Sequence, residues 1–326
     1  MSSQKNILIV GTGGVGAVFG SRFQYAGARV SVVCRSNFNK VKESGFTIRS
    51  LKFGNTVFVP DCVISAKNDQ AFDSVFYDYV FVSTKSLPNV ENPALAILPF
   101  INSPDTIIVL LQNGIGVEDP FSILFPNNPI LSCVVRVNST QIEPSIIQHG
   151  TLCCLLYNFY TSLKSPKFSD TILKEFDAFL KLAKVESIIS PNIQKERWLK
   201  LAWNAAFGSI SVLSGGKDGK SLAEDIYTCT LMRDTMREVF AVGHAVLSEP
   251  LVDGSIEESI ESYVSLVLTR PNAVYPSMLY DYQFKRPMEH QVIIKNPIDL
   301  AEKAKVSTPL LKTLYALLIS IEGGRL

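Results

Sequence analysis

The chain lacks any excess of charge. Over 326 residues, 31 Lys and Arg stand against 30 Asp and Glu, a formal net charge of +1. That balance gives no electrostatic reason to expect nucleic acid or a membrane surface as partner. No apolar run reaches the roughly 18 residues of a transmembrane helix. Residues 1–6 lead almost at once into an apolar run, leaving no room for a signal or transit peptide. Histidine is scarce: His149, His244 and His290 are the only three. No Cys/His cluster has metal-ligand spacing, so no metal is expected. The cysteines, at 34, 62, 133, 153, 154 and 229, form no C-x-x-C pair. They read as buried, reduced thiols of a cytoplasmic protein. Internal repeats and low-complexity segments are missing too. The length suits one large domain or two ordinary ones, with about three quarters of the unfolded surface buried.

What is present starts at residue 6. An apolar run over 7–10 meets Gly11, Thr12, Gly13, Gly14, Val15 and Gly16, with glycines at the spacing G-x-G-x-x-G. A helical pattern follows, and a second apolar run over 30–34 ends at Arg35. Strand, glycine turn, helix and strand within about 30 residues form the context that gives this motif its meaning. Gly11 permits a sharp turn, Gly13 lets a pyrophosphate approach the backbone, and Gly16 lets the helix pack closely. The first-turn N–H groups then face the phosphates.

Strand and helix patterns alternate for about 160 residues. Strands are expected over 7–10, 30–34, 79–83, 106–111 and 130–135, with helical stretches at 14–25, 38–44, 92–100 and 117–124. Continuous apolar runs suit parallel strands covered on both faces. Further strands over 56–59 and 151–156 read as antiparallel additions at one edge. Ser169 is placed to cap a helix over 170–183. From Ser190 and Pro191 onward the patterns are helical: 193–212, 221–247, 255–268, 289–304 and 308–321, punctuated by Gly215, Gly216, Pro271 and Asn272. The expectation is an α/β chain: a Rossmann-type doubly wound sheet over 1–190, then an all-α domain over 191–326, with a cleft between them.

An NAD-selecting fold usually carries Asp or Glu at the end of the second strand. Here Cys34, Arg35 and Ser36 stand there. A carboxylate would repel a 2′-phosphate, whereas an arginine fork binds one, with Ser36 and Asn37 as added donors. The expected cofactor is NADPH.

Ligands in such sheets bind beyond the carboxyl ends of the strands. The third strand leads to Lys85 and the fourth to Gln112, Asn113 and Gly114. Each alone reads equally as a surface lysine or a turn asparagine. In the second half, Glu196, Lys200 and Asn204 share a helix face, surrounded by Leu199, Leu201, Ala202, Ala205 and Ala206. Lys200 is either one half of a surface pair with Glu196 or a catalytic lysine. Glu289, in an expected first helical turn, also suits a purely capping role.

The glycine loop, Lys85, Gln112-Asn113-Gly114, Lys200-x-x-x-Asn204, Pro276-Ser277-Met278-Leu279-x-Asp281 and Arg286-Pro287-x-Glu289 occur in this order. Together they resemble the 2-dehydropantoate 2-reductase (ketopantoate reductase) family over essentially the whole chain. The resemblance implies NADPH-dependent reduction of a 2-oxo acid to a 2-hydroxy acid, on the route to pantothenate and coenzyme A. It also implies Lys200 as general acid and Glu289 beside the nicotinamide. Asn204, Ser277 and Asn113 would meet substrate, and Lys85 and Asn113 the cofactor. Gly208 departs from the family, which usually has a second asparagine there. His290 and Gln291 replace the common acidic pattern after the glutamate. Four readings stay open: 2-dehydropantoate as substrate, another 2-oxo acid, an enzyme of the 6-phosphogluconate dehydrogenase type, and a silent NADPH sensor. The apolar helical half is compatible with a homodimer. Gly324, Arg325 and Leu326 loosely resemble a peroxisomal address tripeptide, from which Gly324 departs.

Overall fold

The computed structural model of the chain describes residues 4–67, 75–160, 170–270 and 272–324. Ser169, Pro271, Arg325 and Leu326, singled out above, lie outside the described residues. The chain divides into two compact units. One comprises 1–85, 92–112 and 117–193; the other comprises 86–91, 113–116 and 194–326.

The first unit opens with β1 (Asn6–Val10), α1 (Gly14–Tyr25), β2 (Arg29–Cys34), α2 (Phe38–Ser44), β3 (Phe46–Ser50), β4 (Thr56–Phe58) and β5 (Cys62–Ser65). It continues with β6 (Tyr79–Val82), a 3-10 helix (Pro93–Phe100), β7 (Ile107–Leu110), α3 (Asp119–Leu124), β8 (Ile130–Glu143), β9 (Ile146–Phe159), α4 (Asp170–Leu182) and β10 (Glu186–Ile189). The sheet order is β4-β3-β9-β8-β7-β6-β1-β2-β5, with β10 paired to β9. From β8 through β7, β6, β1 and β2 to β5 every pairing is parallel. This is the doubly wound order, with the topological switch at β1 and β6.

Successive residues of a strand face opposite sides, and β1 is apolar on both. Ile7 and Ile9 join Phe19, Phe23, Phe176 and Phe179 in one buried cluster. Leu8 and Val10 join Ala94, Ile97 and Phe121 in another. Two covered faces explain the unbroken apolar runs.

β4 stands at the sheet edge, antiparallel to β3, as expected for 56–59; other strands differ from the sequence expectation. The apolar stretches at 130–135 and 151–156 both belong to one long antiparallel hairpin, β8 with β9. Its outer part, Asn138–Glu143, is polar, which conceals the strand. β9 is no edge: β3 and β10 pair with it in parallel. β3, β5 and β10 are further strands that the apolar pattern did not reveal. Of the six free cysteines, Cys62 on β5 is exposed and the other five are buried.

The second unit is helical. It contains α5 (Ile193–Leu213, whose first residue belongs to the other unit), α6 (Gly219–Glu224), α7 (Ile226–Leu247), α8 (Ile256–Leu268) and α9 (Ser277–Gln283). A π-helical turn (Gln291–Lys295) runs into α10 (Asn296–Ala304), and α11 (Pro309–Gly323) follows. The expected single helix over 221–247 is broken at Asp225. Its carboxylate accepts from the N–H groups of Tyr227 and Thr228 at 3.0 and 3.1 Å, capping α7. α7 packs against α8, α10 and α11. Among the described residues no helix is long and apolar enough to cross a membrane.

Candidate active site

The parallel strands end level with one another. Val10 of β1 stands opposite Val33 of β2 and Val82 of β6, and Val82 stands opposite Leu110 of β7. The segments that leave these strands therefore start side by side, where open α/β sheets bind ligands.

After β1 the chain turns at Gly11, whose φ is +92°, a region that glycine adopts without strain. A Cβ there would overlap the Thr84 backbone nitrogen. A Cβ at Gly16 would lie 2.5 Å from the Gly11 carbonyl oxygen, and one at Gly14 would lie 3.0 Å from Ser139. Gly13 is different: a Cβ there would meet nothing within 4 Å. The loop between them is tied down. Thr12 is buried, its hydroxyl donates to the Val33 carbonyl at 3.3 Å, and the Asn37 side-chain amide donates to the Thr12 carbonyl at 3.1 Å. Asn37 is thus a loop anchor rather than an outward donor. Ser83 donates to the Gly11 carbonyl. Burial pushes the Cys34 thiol up, opposed by its contact with the Thr12 hydroxyl.

The result is a fixed loop with one open position, Gly13, at the N-terminus of α1. Its bare backbone and the first-turn N–H groups, which have no acceptor within the helix, fit a dinucleotide pyrophosphate. Val15 is partly buried within the first turn, and Arg35 is exposed directly after β2. Lys85 is half-buried three residues beyond β6. Among the described residues no group of three His, Cys, Asp or Glu could hold a metal ion.

In the second unit, α5 carries Lys200, Asn204 and Gly208 on successive turns. Lys200 is half-buried, and its ammonium donates to Asn113 Oδ1 at 2.7 Å. Arg197, buried one turn earlier, donates to the Gly114 carbonyl at 3.2 Å. Asn113 and Gly114 directly follow Leu111 and Gln112, which leave β7. Gly114 has a φ of +98°, and a Cβ there would lie 2.6 Å from the Val292 side chain. This close approach explains the Asn-Gly pair better than a generic turn does.

The second expected group is assembled in the same unit. Glu289 is buried and precedes the π-helical turn rather than starting an α-helix. Its Oε1 accepts from the Ser86 N–H at 2.9 Å, so it does more than cap a helix. Ser86 immediately follows Lys85. Its role carries no sequence signal, because the bond uses the backbone and its partner is 203 residues away. Asn204 is half-buried, and Ser277 is exposed at the start of α9. α9 reaches α5 beside them: a Cβ at Gly208 would lie 3.6 Å from Met278 Cβ. The structure brings Lys200 to Asn113 and Glu289 to Ser86.

Comparison with known proteins finds relatives over almost the whole chain. The family model described as ketopantoate reductase PanE/ApbA matches residues 7–152, and the model of that family's C-terminal part matches residues 192–322. The chain is 28% identical over 321 residues to a 2-dehydropantoate 2-reductase of Nostoc sp., covering 98% of this chain and 96% of the relative. A solved 2-dehydropantoate 2-reductase from Methylococcus capsulatus is 31% identical, with a TM-score of 0.83 over 98% of this chain and 97% of that one. A D-mandelate dehydrogenase solved with NADH and anilino(oxo)acetate has a TM-score of 0.85 at 19% identity, over 98% of this chain and 99% of that one. At that identity it shows a shared fold.

Proposed function

The chain belongs to the ketopantoate reductase PanE/ApbA family of NAD(P)-dependent oxidoreductases, and on that basis we propose that it reduces a 2-oxo acid to the 2-hydroxy acid with NADPH. The family assignment makes 2-dehydropantoate the first candidate substrate. The observation that carries the reading is the Lys200–Asn113 bond at 2.7 Å. It holds a cationic acid against a segment that leaves a Rossmann strand.

Dinucleotide binding is assigned to residues 1–190 and substrate chemistry to 191–326, with 86–91 and 113–116 working with the latter. When bound, NADPH supplies a hydride to the carbonyl carbon. The Gly11–Gly16 loop and α1 hold the pyrophosphate, and Arg35 at the end of β2 recognises the 2′-phosphate, where a carboxylate would repel it. Lys85 assists on the cofactor side. Lys200 Nζ stabilises the negative charge that develops on the carbonyl oxygen and donates the proton to it. Such acid catalysis is worth about 10²–10⁴-fold in rate. Asn113 holds the Lys200 ammonium in direction. Glu289, fixed by the Ser86 N–H, orients the nicotinamide end or Lys200. Asn204 and Ser277 bond the polar groups of the acid.

A second reading, a different 2-oxo acid on the same machinery, is favoured by Gly208. The α5 face that offers Lys200 and Asn204 offers no polar side chain one turn on. The space above Gly208 is bordered by Met278 instead, a flexible apolar neighbour. NADPH oxidation against 2-dehydropantoate and a panel of other 2-oxo acids tests both readings. Turnover of 2-dehydropantoate supports the first, and turnover confined to another acid supports the second. Tight NADPH binding without turnover of any of them overturns both.

A further inference from the structure

A single carboxylate near the end of the chain grips both neighbours of Glu289. Residues 286–289 lie between α9 and the π-helical turn without regular structure, so no helix sets the direction of Glu289. Glu322, in the last turn of α11, lies across this segment. Its Oε1 accepts from the Met288 N–H at 2.8 Å, and its Oε2 meets His290 Nε2 at 2.7 Å. Two bonds from one side chain therefore fix the residues before and after Glu289, whose own Oε1 accepts from the Ser86 N–H.

The surroundings single out this contact. A carboxylate in the last turn of a helix opposes the helix dipole, so local helix stability does not account for Glu322. His290 is 2% exposed. Among the described residues its Nδ1 is buried with no hydrogen-bond partner. Nε2 is the ring nitrogen that faces the Glu322 carboxylate, and its N–H donates to it. The Tyr315 ring, also on α11, meets the imidazole edge-on at 5.8 Å between centroids. The far end of α11 is anchored as well, since Glu238 of α7 accepts from the Leu310 and Leu311 N–H groups, each at 2.9 Å. With both ends held, α11 forms a strap whose last turn grips the Glu289 segment.

We propose that Glu322 is a positioning residue for Glu289, acting through His290 and the Met288 peptide, so that the last helix is a working part of the active site. The inference rests on the role given to Glu289 above. Its test is a double-mutant cycle on the full chain, with kcat and thermal midpoint read together. Glu322→Ala is expected to lower kcat on the order of tenfold to a hundredfold, as misplacement of a catalytic group does. On a Glu289→Gln background the same change should add little. Glu322→Gln keeps an oxygen for the Met288 N–H and should recover part of the loss. If Glu322→Ala does not fold, His290→Phe carries the same cycle. Equal fold-losses in both backgrounds would overturn the inference while leaving the Glu289 role intact. A Glu289→Gln variant with undiminished kcat would overturn that role and this inference with it.

Discussion

The Lys200 ammonium donates to Asn113 Oδ1 at 2.7 Å, across 87 residues of sequence. One partner stands on α5 and the other just beyond β7. Each is unremarkable in its own stretch of sequence: a lysine on an apolar helix and an asparagine before glycine. Together they give an oriented cationic donor. Asn113→Ala removes this acceptor and with it one constraint on the direction of the Lys200 ammonium. Turnover should then fall by about tenfold to a hundredfold through misorientation, while the thermal midpoint moves little. Steady-state kinetics beside a melting curve would check this. An undiminished kcat would mean that Asn113 does not orient Lys200.

The glycine loop separates space from strain. Gly13 has room for a side chain, whereas Gly11 combines a φ of +92° with a clash against Thr84. Gly13→Val should therefore leave the melting temperature nearly unchanged and raise KM for NADPH at least about tenfold, by filling the position proposed for the pyrophosphate. Gly11→Val should lower stability itself, by 1 kcal/mol or more on the order of a strained backbone position. Calorimetry with cofactor titration distinguishes the two. Equal effects of the two variants on stability would contradict the assignment.

Arg35 follows β2 where a carboxylate would select NAD. Arg35→Asp should reverse the preference between NADPH and NADH, chiefly by raising KM for NADPH, since it replaces an attractive charge with a repulsive one. An unchanged ratio of kcat/KM for the two cofactors would remove Arg35 from the 2′-phosphate site.

His149 yields a prediction about stability against pH. It is fully buried, with Nδ1 2.8 Å from the Ser50 hydroxyl and Nε2 3.1 Å from the Leu152 carbonyl. Loss of hydration holds its pKa below the ordinary 6.5; the Leu152 carbonyl opposes this and Lys52 adds to it. The folded state therefore keeps the ring neutral while the unfolded state takes up a proton. The contribution is fully present above the unfolded value and is lost as pH falls from there through the folded value. Each unit of depression corresponds to about 1.4 kcal/mol. Melting temperatures of the wild type and His149→Gln between about pH 7.5 and 5 should show a shallower acid decline in the variant. Parallel declines would show that another group carries the effect.

The nucleotide-binding part of the fold was legible because its chemistry is local. The glycine spacing, the double-faced apolar β1 and the β2 run lie within 30 residues and need no distant partner. The strands that escaped lack that pattern. β10 is largely exposed, β5 half so, and the outer arm of β8 is mostly polar; pairing rather than burial on both faces defines them. The break at Asp225 was hidden because helical periodicity continues on either side of a residue that caps. The candidate site residues stand out in the sequence as positions but not as pairs. Asn113 and Lys200 were each read from their own segment, yet no spacing rule joins them. Ser86 takes part through its backbone and Glu322 arrives from the last helix, so neither leaves a mark in the sequence near Glu289.

The proposed role of Lys200 as the acid of an NADPH-dependent 2-oxo acid reductase is tested most directly by Lys200→Ala. NADPH oxidation in the presence of the preferred 2-oxo acid should fall by about 10²–10⁴-fold. The dissociation constant for NADPH, read by cofactor fluorescence, should stay within about threefold of the wild type, because its phosphates are proposed to lie on the glycine loop. Turnover that survives the substitution, or a loss explained wholly by weaker NADPH binding, would contradict the account.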